Sequence, residues 1–252
     1  MSLINVTFKS YVLGMDCSAN VIFPQPMPGT PLKKPVKTLY LLHGLSDDHT
    51  AWTRWTSIER YAAEYGIAVV MPNVHRSFYS DKKNGGKYFT FVSEELISLM
   101  EEMFPLSNSR EDRYAAGLSM GGYGAVKLGL SCPEKFSAAA SLSGALDILG
   151  RIAAEADLHE EFLYILDAPK EEREKNDLFF LAEKLYLSGK QKPRLYIWCG
   201  TEDFLYTDNL KFVDFLKKTD FEFKYEESEG DHSWGYWDAK IRTVLQFIFK
   251  TE

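Results

Sequence analysis

Gly117-Leu118-Ser119-Met120-Gly121 is the stretch that most restricts how this chain can fold. It follows a short apolar run over residues 113–116 and precedes a helical pattern, so it sits in a strand, sharp turn and helix context. A serine at the tip of such a turn is forced into a strained backbone conformation. Its neighbours two positions away must pack almost without side chains, and glycine allows that. The turn lifts the hydroxyl above the sheet edge, and the helix starting there aims N–H groups and its positive end at the same spot. Alone the pattern is weak, because glycine and serine are common in turns. Its weight depends on what the rest of the chain supplies.

Apolar runs at 36–42, 67–71, 136–142 and 194–199 read as buried strands, and 221–226 as a last one. Residues 5–13 and 18–23, with Gly14 between them, read as an antiparallel pair, and the proline-rich 24–35 as a loop. Helical spacing covers 52–65, 91–104, Met120–Ser131, 209–218 and Trp234–Phe249. Strands alternating with helices predict a mainly parallel sheet covered on both faces, within one α/β domain over 1–252. Between 148 and 190 the chain turns densely charged around Phe162, Tyr164, Ile165, Phe179 and Phe180. That segment reads as a small helical insertion, either a cap over the mouth of the sheet or a plain crossover with a long surface loop. Its aromatics would also suit a self-association surface, which leaves a homo-oligomer open. The polar, aromatic 78–87 reads as a loop near the mouth, with Tyr79 and Trp234 as candidate pocket walls.

With 252 residues, 45% of them hydrophobic, the chain can bury a full core. A net charge of −7 and the lack of any dense basic block argue against nucleic acid. Three widely spaced cysteines make neither a disulfide framework nor a metal pattern. No signal-peptide pattern opens the sequence and no apolar run is long enough to span a membrane, so a cytoplasmic protein is expected.

In a doubly wound sheet, ligands sit beyond the carboxyl ends of the strands. Serine needs a base within hydrogen-bond reach and the base needs an orienting acid, here in the order Ser…Asp…His. Two histidines follow the elbow: His159, among charges in the insertion, and His232, in the loop between the last strand and the last helix. Position favours His232. Asp203, shortly after the strand over 194–199, leads among the acids, ahead of Glu202 and Asp231. Its alternative role is an Asx turn or helix cap. An acyl-transfer site also needs two donors for a developing oxyanion. The Met120 N–H and, from the His43-Gly44-Leu45 loop, the Leu45 N–H are placed for this, with the His43 side chain as a packed prop. His43, Asp47, Asp48 and His49 include metal-ligand types, but their spacing fits no standard site and an aspartate there caps the next helix. No metal or other cofactor is expected.

Together, Gly117-Leu118-Ser119-Met120-Gly121-Gly122, His43-Gly44-Leu45 with Trp52 downstream, and Gly230-x-His232-x-Trp234-x-x-Trp237 resemble the esterase D-like family of α/β-hydrolase-fold esterases. The likeness runs over nearly the whole chain. That family includes tributyrin esterases, S-formylglutathione hydrolases, feruloyl and cinnamoyl esterases and mycolyltransferases. The resemblance implies an α/β-hydrolase fold, with Ser119 as nucleophile, Asp203 as acid, His232 as base, and Leu45 and Met120 as the oxyanion hole. Among members, the chain is most similar to bacterial tributyrin esterases, which implies a small-molecule acyl ester as substrate. The loop reads His-Gly-Leu where many lipases carry His-Gly-Gly-Gly, which favours primary acyl esters over those of bulky tertiary alcohols. A formylglutathione hydrolase or other thioesterase, and a carbohydrate acetyl or feruloyl esterase, are the alternatives. A binding protein on a hydrolase scaffold is disfavoured by the presence of all three catalytic residue types.

Overall fold

The computed structural model describes residues 1–26, 29, 31–154, 162–165 and 168–249. Its centre is an eight-stranded sheet of Ser2–Ser10 (β1), Met15–Phe23 (β2), Thr38–Leu42 (β3), Ala68–Pro72 (β4), Arg113–Leu118 (β5), Ala138–Leu142 (β6), Arg194–Gly200 (β7) and Phe223–Ser228 (β8). The order across the sheet is β1-β2-β4-β3-β5-β6-β7-β8. From β4 to β8 all neighbours run parallel, and β1 and β2 join at one edge as an antiparallel hairpin.

Burial explains why the central strands read as unbroken apolar runs. Every residue of β3, β4, β5 and β6 is buried, as strands covered on both faces must be. Side chains alternate between the two faces. Tyr40 and Leu42 enter one core with Met120, Tyr123 and Val126 of the helix Met120–Ser131. Leu39 and Leu41 enter the other with Trp237, Ile241, Val244 and Leu245 of the helix Trp234–Phe249. Each such aliphatic side chain contributes about 1.5–3 kcal/mol by leaving water. The edge strands differ. β1 alternates exposed and covered positions, and β8 carries Lys224, Glu226 and Glu227, charges that discourage edge pairing.

The segment after β6 divides. The helices Ile148–Ala154, Lys170–Glu174 and Leu178–Leu187 fall within 148–190. Leu178, Ala182 and Leu185 pack into the same core as Met120–Ser131, as a crossover helix does. Phe162 is fully buried with its ring 4.7 Å from that of Phe78, so it offers no exposed surface. His159 lies outside the described residues.

Local departures from the sequence reading have physical causes. The helix expected over 52–65 breaks into Ala51–Trp55 and Ile58–Tyr65, because Thr56 is extended (φ −135°, ψ 171°) and its hydroxyl donates back to the Trp52 carbonyl at 2.5 Å. The loop over 78–87 exists, but Phe78 and Tyr79 adopt positive φ (48° and 47°) and are buried. The last strand starts two residues later than expected, at Phe223.

Candidate active site

The strand order reverses between β3 and β5, and there the carboxyl ends of two adjacent parallel strands leave a crevice. His43-Gly44-Leu45 leaves β3 on one side of it and Ser119 leaves β5 on the other. Ser119 has φ 53° and ψ −119°, a conformation that non-glycine residues rarely adopt. It persists because the backbone around it is fixed. The Ser119 N–H donates to the Leu142 carbonyl (2.9 Å), and the Ser119 carbonyl accepts from the Tyr123 and Ala145 N–H groups (3.1 and 3.3 Å). A side chain at Gly121 would collide with the backbone of Leu42 and His43, so only glycine lets the elbow helix start this close to β3.

His232 arrives from the loop between β8 and the helix Trp234–Phe249. Its Nε2 lies 3.0 Å from Ser119 Oγ, and its Nδ1 lies 2.9 and 3.1 Å from the two oxygens of Asp203. Residues 119, 203 and 232 thus form one hydrogen-bonded row. Tryptophans set the loop in place. Trp237 meets the imidazole edge-on at 4.9 Å and donates its indole N–H to Ser143 Oγ at 3.1 Å. Trp234 bridges Trp237 and Trp52, and Trp52 donates to the Leu42 carbonyl at the end of β3. Trp234 therefore ties the His232 loop to the sheet and is only partly buried.

Burial pushes the Asp203 carboxyl up, but the His232 ring, the Leu205 N–H (2.8 Å) and the Ser143 side chain outweigh it and hold it below the ordinary carboxylate range. A buried carboxylate so held can keep the imidazole Nδ1 protonated and aim Nε2 at the serine. Glu202 does something else. It accepts from the Gly230 N–H at 2.6 Å and from the Thr201 hydroxyl, and so shapes the loop that carries His232. Asp231 is exposed.

The loop after β3 is set from behind. His43 is 1% exposed, and its Nε2 accepts from the Val74 N–H at 3.0 Å. That leaves Nδ1 as the protonated nitrogen, donating to the Gly44 carbonyl at 2.7 Å. The Gly44 carbonyl and the Leu45 N–H belong to one planar trans peptide, so fixing the first aims the second the opposite way. Gly44 packs so closely that a Cβ there would meet Leu118 Cδ1 at 2.8 Å and Asp47 Oδ2 at 2.9 Å, and would touch Ser119 Cβ at 3.7 Å. Among the described residues no hydrogen bond takes up the N–H of Leu45 or of Met120. Two free backbone donors beside a serine hydroxyl are what a developing oxyanion requires.

Tyr79 stands behind this loop and not on an open wall. It is 1% exposed and its hydroxyl donates to the His43 carbonyl at 3.0 Å. Beneath it, Lys127 of the elbow helix is buried and donates to the Tyr79 carbonyl, Ser80 Oγ and Asn176 Oδ1 at 2.9, 3.1 and 2.6 Å. Burial pulls this amine down to about 7, with Asp81 pulling the other way. Among the described residues no three His, Cys, Asp or Glu side chains gather as a metal site. Asp48 is occupied by the Thr50 N–H and hydroxyl ahead of Ala51–Trp55.

Comparison with known proteins gives this geometry a context. Residues 10–248 match the Esterase family, described as "Putative esterase". The chain belongs to this esterase family. An acetyl esterase of Caldicellulosiruptor saccharolyticus is 32% identical, with 99% of each chain covered. Among solved structures, the fluorophosphonate-binding serine hydrolase FphF of Staphylococcus aureus superposes with a TM-score of 0.90 at 36% identity, covering 99% of both chains. An S-formylglutathione hydrolase from Staphylococcus aureus gives 0.88 and 37%, again over 99% of both chains. The fold of this family member is accordingly the α/β-hydrolase fold. Among the described residues no helix is long and apolar enough to cross a membrane.

Two supports of the esterase's site escape sequence reasoning. Ser143, with φ 48°, accepts from the Trp237 indole N–H, and its side chain helps hold the Asp203 carboxyl below its ordinary range. Its one signal is its place directly after β6, at the active end of the sheet. Lys127 gives no signal, since a lone lysine in a helix ordinarily faces water.

Proposed function

We propose that this member of the family is a serine carboxylesterase that hydrolyses short-chain acyl esters through an acyl-enzyme. The observation that carries the reading is the unbroken row from Asp203 through His232 to Ser119, with contacts of 2.9 and 3.0 Å. His232 Nε2 takes the Ser119 proton as Oγ attacks the ester carbonyl, and the N–H groups of Leu45 and Met120 receive the negative oxygen. As the carbon–oxygen bond to the alcohol breaks, the imidazolium returns its proton to the departing oxygen. Water then repeats the sequence on the acyl-serine and releases the acid. Asp203 holds the imidazole in the right tautomer throughout. The acetyl esterase relative supports a short acyl group.

The test is a series of p-nitrophenyl esters of rising acyl length, run beside acetylated and feruloylated sugars, with fluorophosphonate labelling mapped by mass spectrometry. The reading expects label on Ser119 and the highest kcat/KM at two to four acyl carbons, roughly. Absence of label on Ser119 in folded protein would end it. A thioester reading is favoured by the likeness to an S-formylglutathione hydrolase. It expects S-formylglutathione to be turned over far faster than p-nitrophenyl acetate.

A further inference from the structure

Phe204 is 61% exposed, although it follows the buried Asp203 directly. Its ring centroid lies 4.5 Å from that of His232. Among the described residues it is the one exposed large apolar side chain in ring contact with that histidine. The imidazole thus contacts two rings, the buried Trp237 and the exposed Phe204. A mobile surface phenylalanine would be unremarkable. This one is anchored. The Phe204 carbonyl accepts from Arg151 Nη2 at 2.8 Å, the same guanidinium lies 5.4 Å from the ring centre, and Arg151 is tied to Asp208 at 2.7 Å.

Stereochemistry says what such a ring meets. In the tetrahedral intermediate the carbon bears Ser119 Oγ, the oxyanion, the acyl chain and the departing oxygen. The departing oxygen must face His232 Nε2, because it takes its proton there. Whatever that oxygen carries sits against the imidazole, whose exposed ring neighbour is Phe204. The acyl chain, bonded to the same carbon, points elsewhere.

We infer that Phe204 is a specificity-determining platform for the leaving group, and that it selects alcohols carrying a flat apolar ring face, aryl or pyranose. This rests on the esterase reading above. Stacking against an anchored ring, beyond the area it buries, alters selection between alcohols by up to about tenfold.

The experiment compares benzyl acetate with ethyl acetate, two esters with the same acyl group and alkanol leaving groups, so that the ring is the main difference. A 6-O-acetylated pyranoside is the third substrate. Wild type, Phe204→Ala and Phe204→Trp are measured on all three. The expected result is a fall of about tenfold in the ring-to-ethyl ratio of kcat/KM for Phe204→Ala, and its retention in Phe204→Trp. If the benzyl ratio alone falls, the ring is aryl; if the pyranoside ratio alone falls, it is a sugar. An equal loss on all three esters would overturn the inference, since Phe204 would then only shield the imidazole. Unchanged ratios would overturn it as well. Wild-type fluorophosphonate labelling separates the two levels: if wild type does not label, the esterase reading fails, whereas labelling with unchanged ratios sinks the platform alone.

Discussion

The Tyr79 hydroxyl donates to the His43 carbonyl at 3.0 Å, although 36 residues separate the two in sequence. Tyr79 in turn rests on Lys127 through its own carbonyl. The loop that carries the Leu45 N–H is thereby braced from the elbow helix, the element that also carries the Met120 N–H. Both candidate oxyanion donors share one support.

Tyr79→Phe should expose that bracing. It removes one hydroxyl from a buried site and leaves the His43 carbonyl short of a donor, at a cost of about 1–3 kcal/mol. If part of that cost falls on the oxyanion geometry, kcat drops by about tenfold while KM stays within about twofold. Steady-state kinetics on p-nitrophenyl acetate checks this. A variant that loses stability but keeps kcat would show the brace to be structural only.

Ser119 gives two outcomes from one position. Ser119→Ala should lower kcat by about 10⁴-fold or more, because it removes the proposed nucleophile. Both serine and alanine strain the backbone at φ 53°, and glycine does not. Relief of about 1–3 kcal/mol, less the added entropy cost of glycine, leaves Ser119→Gly more stable than Ser119→Ala by about 1 kcal/mol. Thermal unfolding should place the glycine variant about 2–4 °C higher. Equal midpoints would mean that the elbow stores no strain.

Asp203→Asn tests the orienting role apart from packing. Asparagine keeps the volume and can still accept from the Leu205 N–H, but its NH₂ cannot accept the imidazole Nδ1 proton. The ring then favours the wrong tautomer, with a fall in kcat of about 10⁴-fold and little change in folding. Kinetics with circular dichroism on the same sample decides. A loss below about tenfold would move the orienting role elsewhere.

How much of this was legible in the sequence follows from what kind of signal each residue gives. β3 to β7 were legible because strands buried on both faces must be nearly all apolar. Ser119 follows the end of β5 and Asp203 the end of β7, while His232 was found from its place after the last strand, β8, in the order a hydrolase sheet imposes. β8 was misplaced by two residues because its mixed polar composition marks no start. The break at Thr56 depends on one hydroxyl returning to one carbonyl, which periodicity does not register. Tyr79 looked like a pocket wall because aromatic loop residues usually face outward, and its positive φ turns it into the core. Lys127 was invisible for a related reason: its three acceptors come from segments about 50 residues away, and only folding brings them together.

His43 should make stability depend on pH in a defined window. Burial pulls its imidazole down to about 4 in the folded chain, against about 6.5 for a free histidine. Between those values the unfolded chain holds more protons than the folded one, so stability falls as pH falls from about 6.5 toward about 4 and levels off below. The gap amounts to roughly 3 kcal/mol at its fullest. Protonation would also add a hydrogen to Nε2, which now accepts from the Val74 N–H, so the loop after β3 should loosen in the same window. Urea midpoints for wild type and His43→Gln at pH 7.5, 5.5 and 4.5 measure this. Wild type should lose more stability than the variant across the series, because glutamine does not titrate. Parallel losses in the two proteins would show that other groups set the acid limit and that His43 serves only as a packed prop.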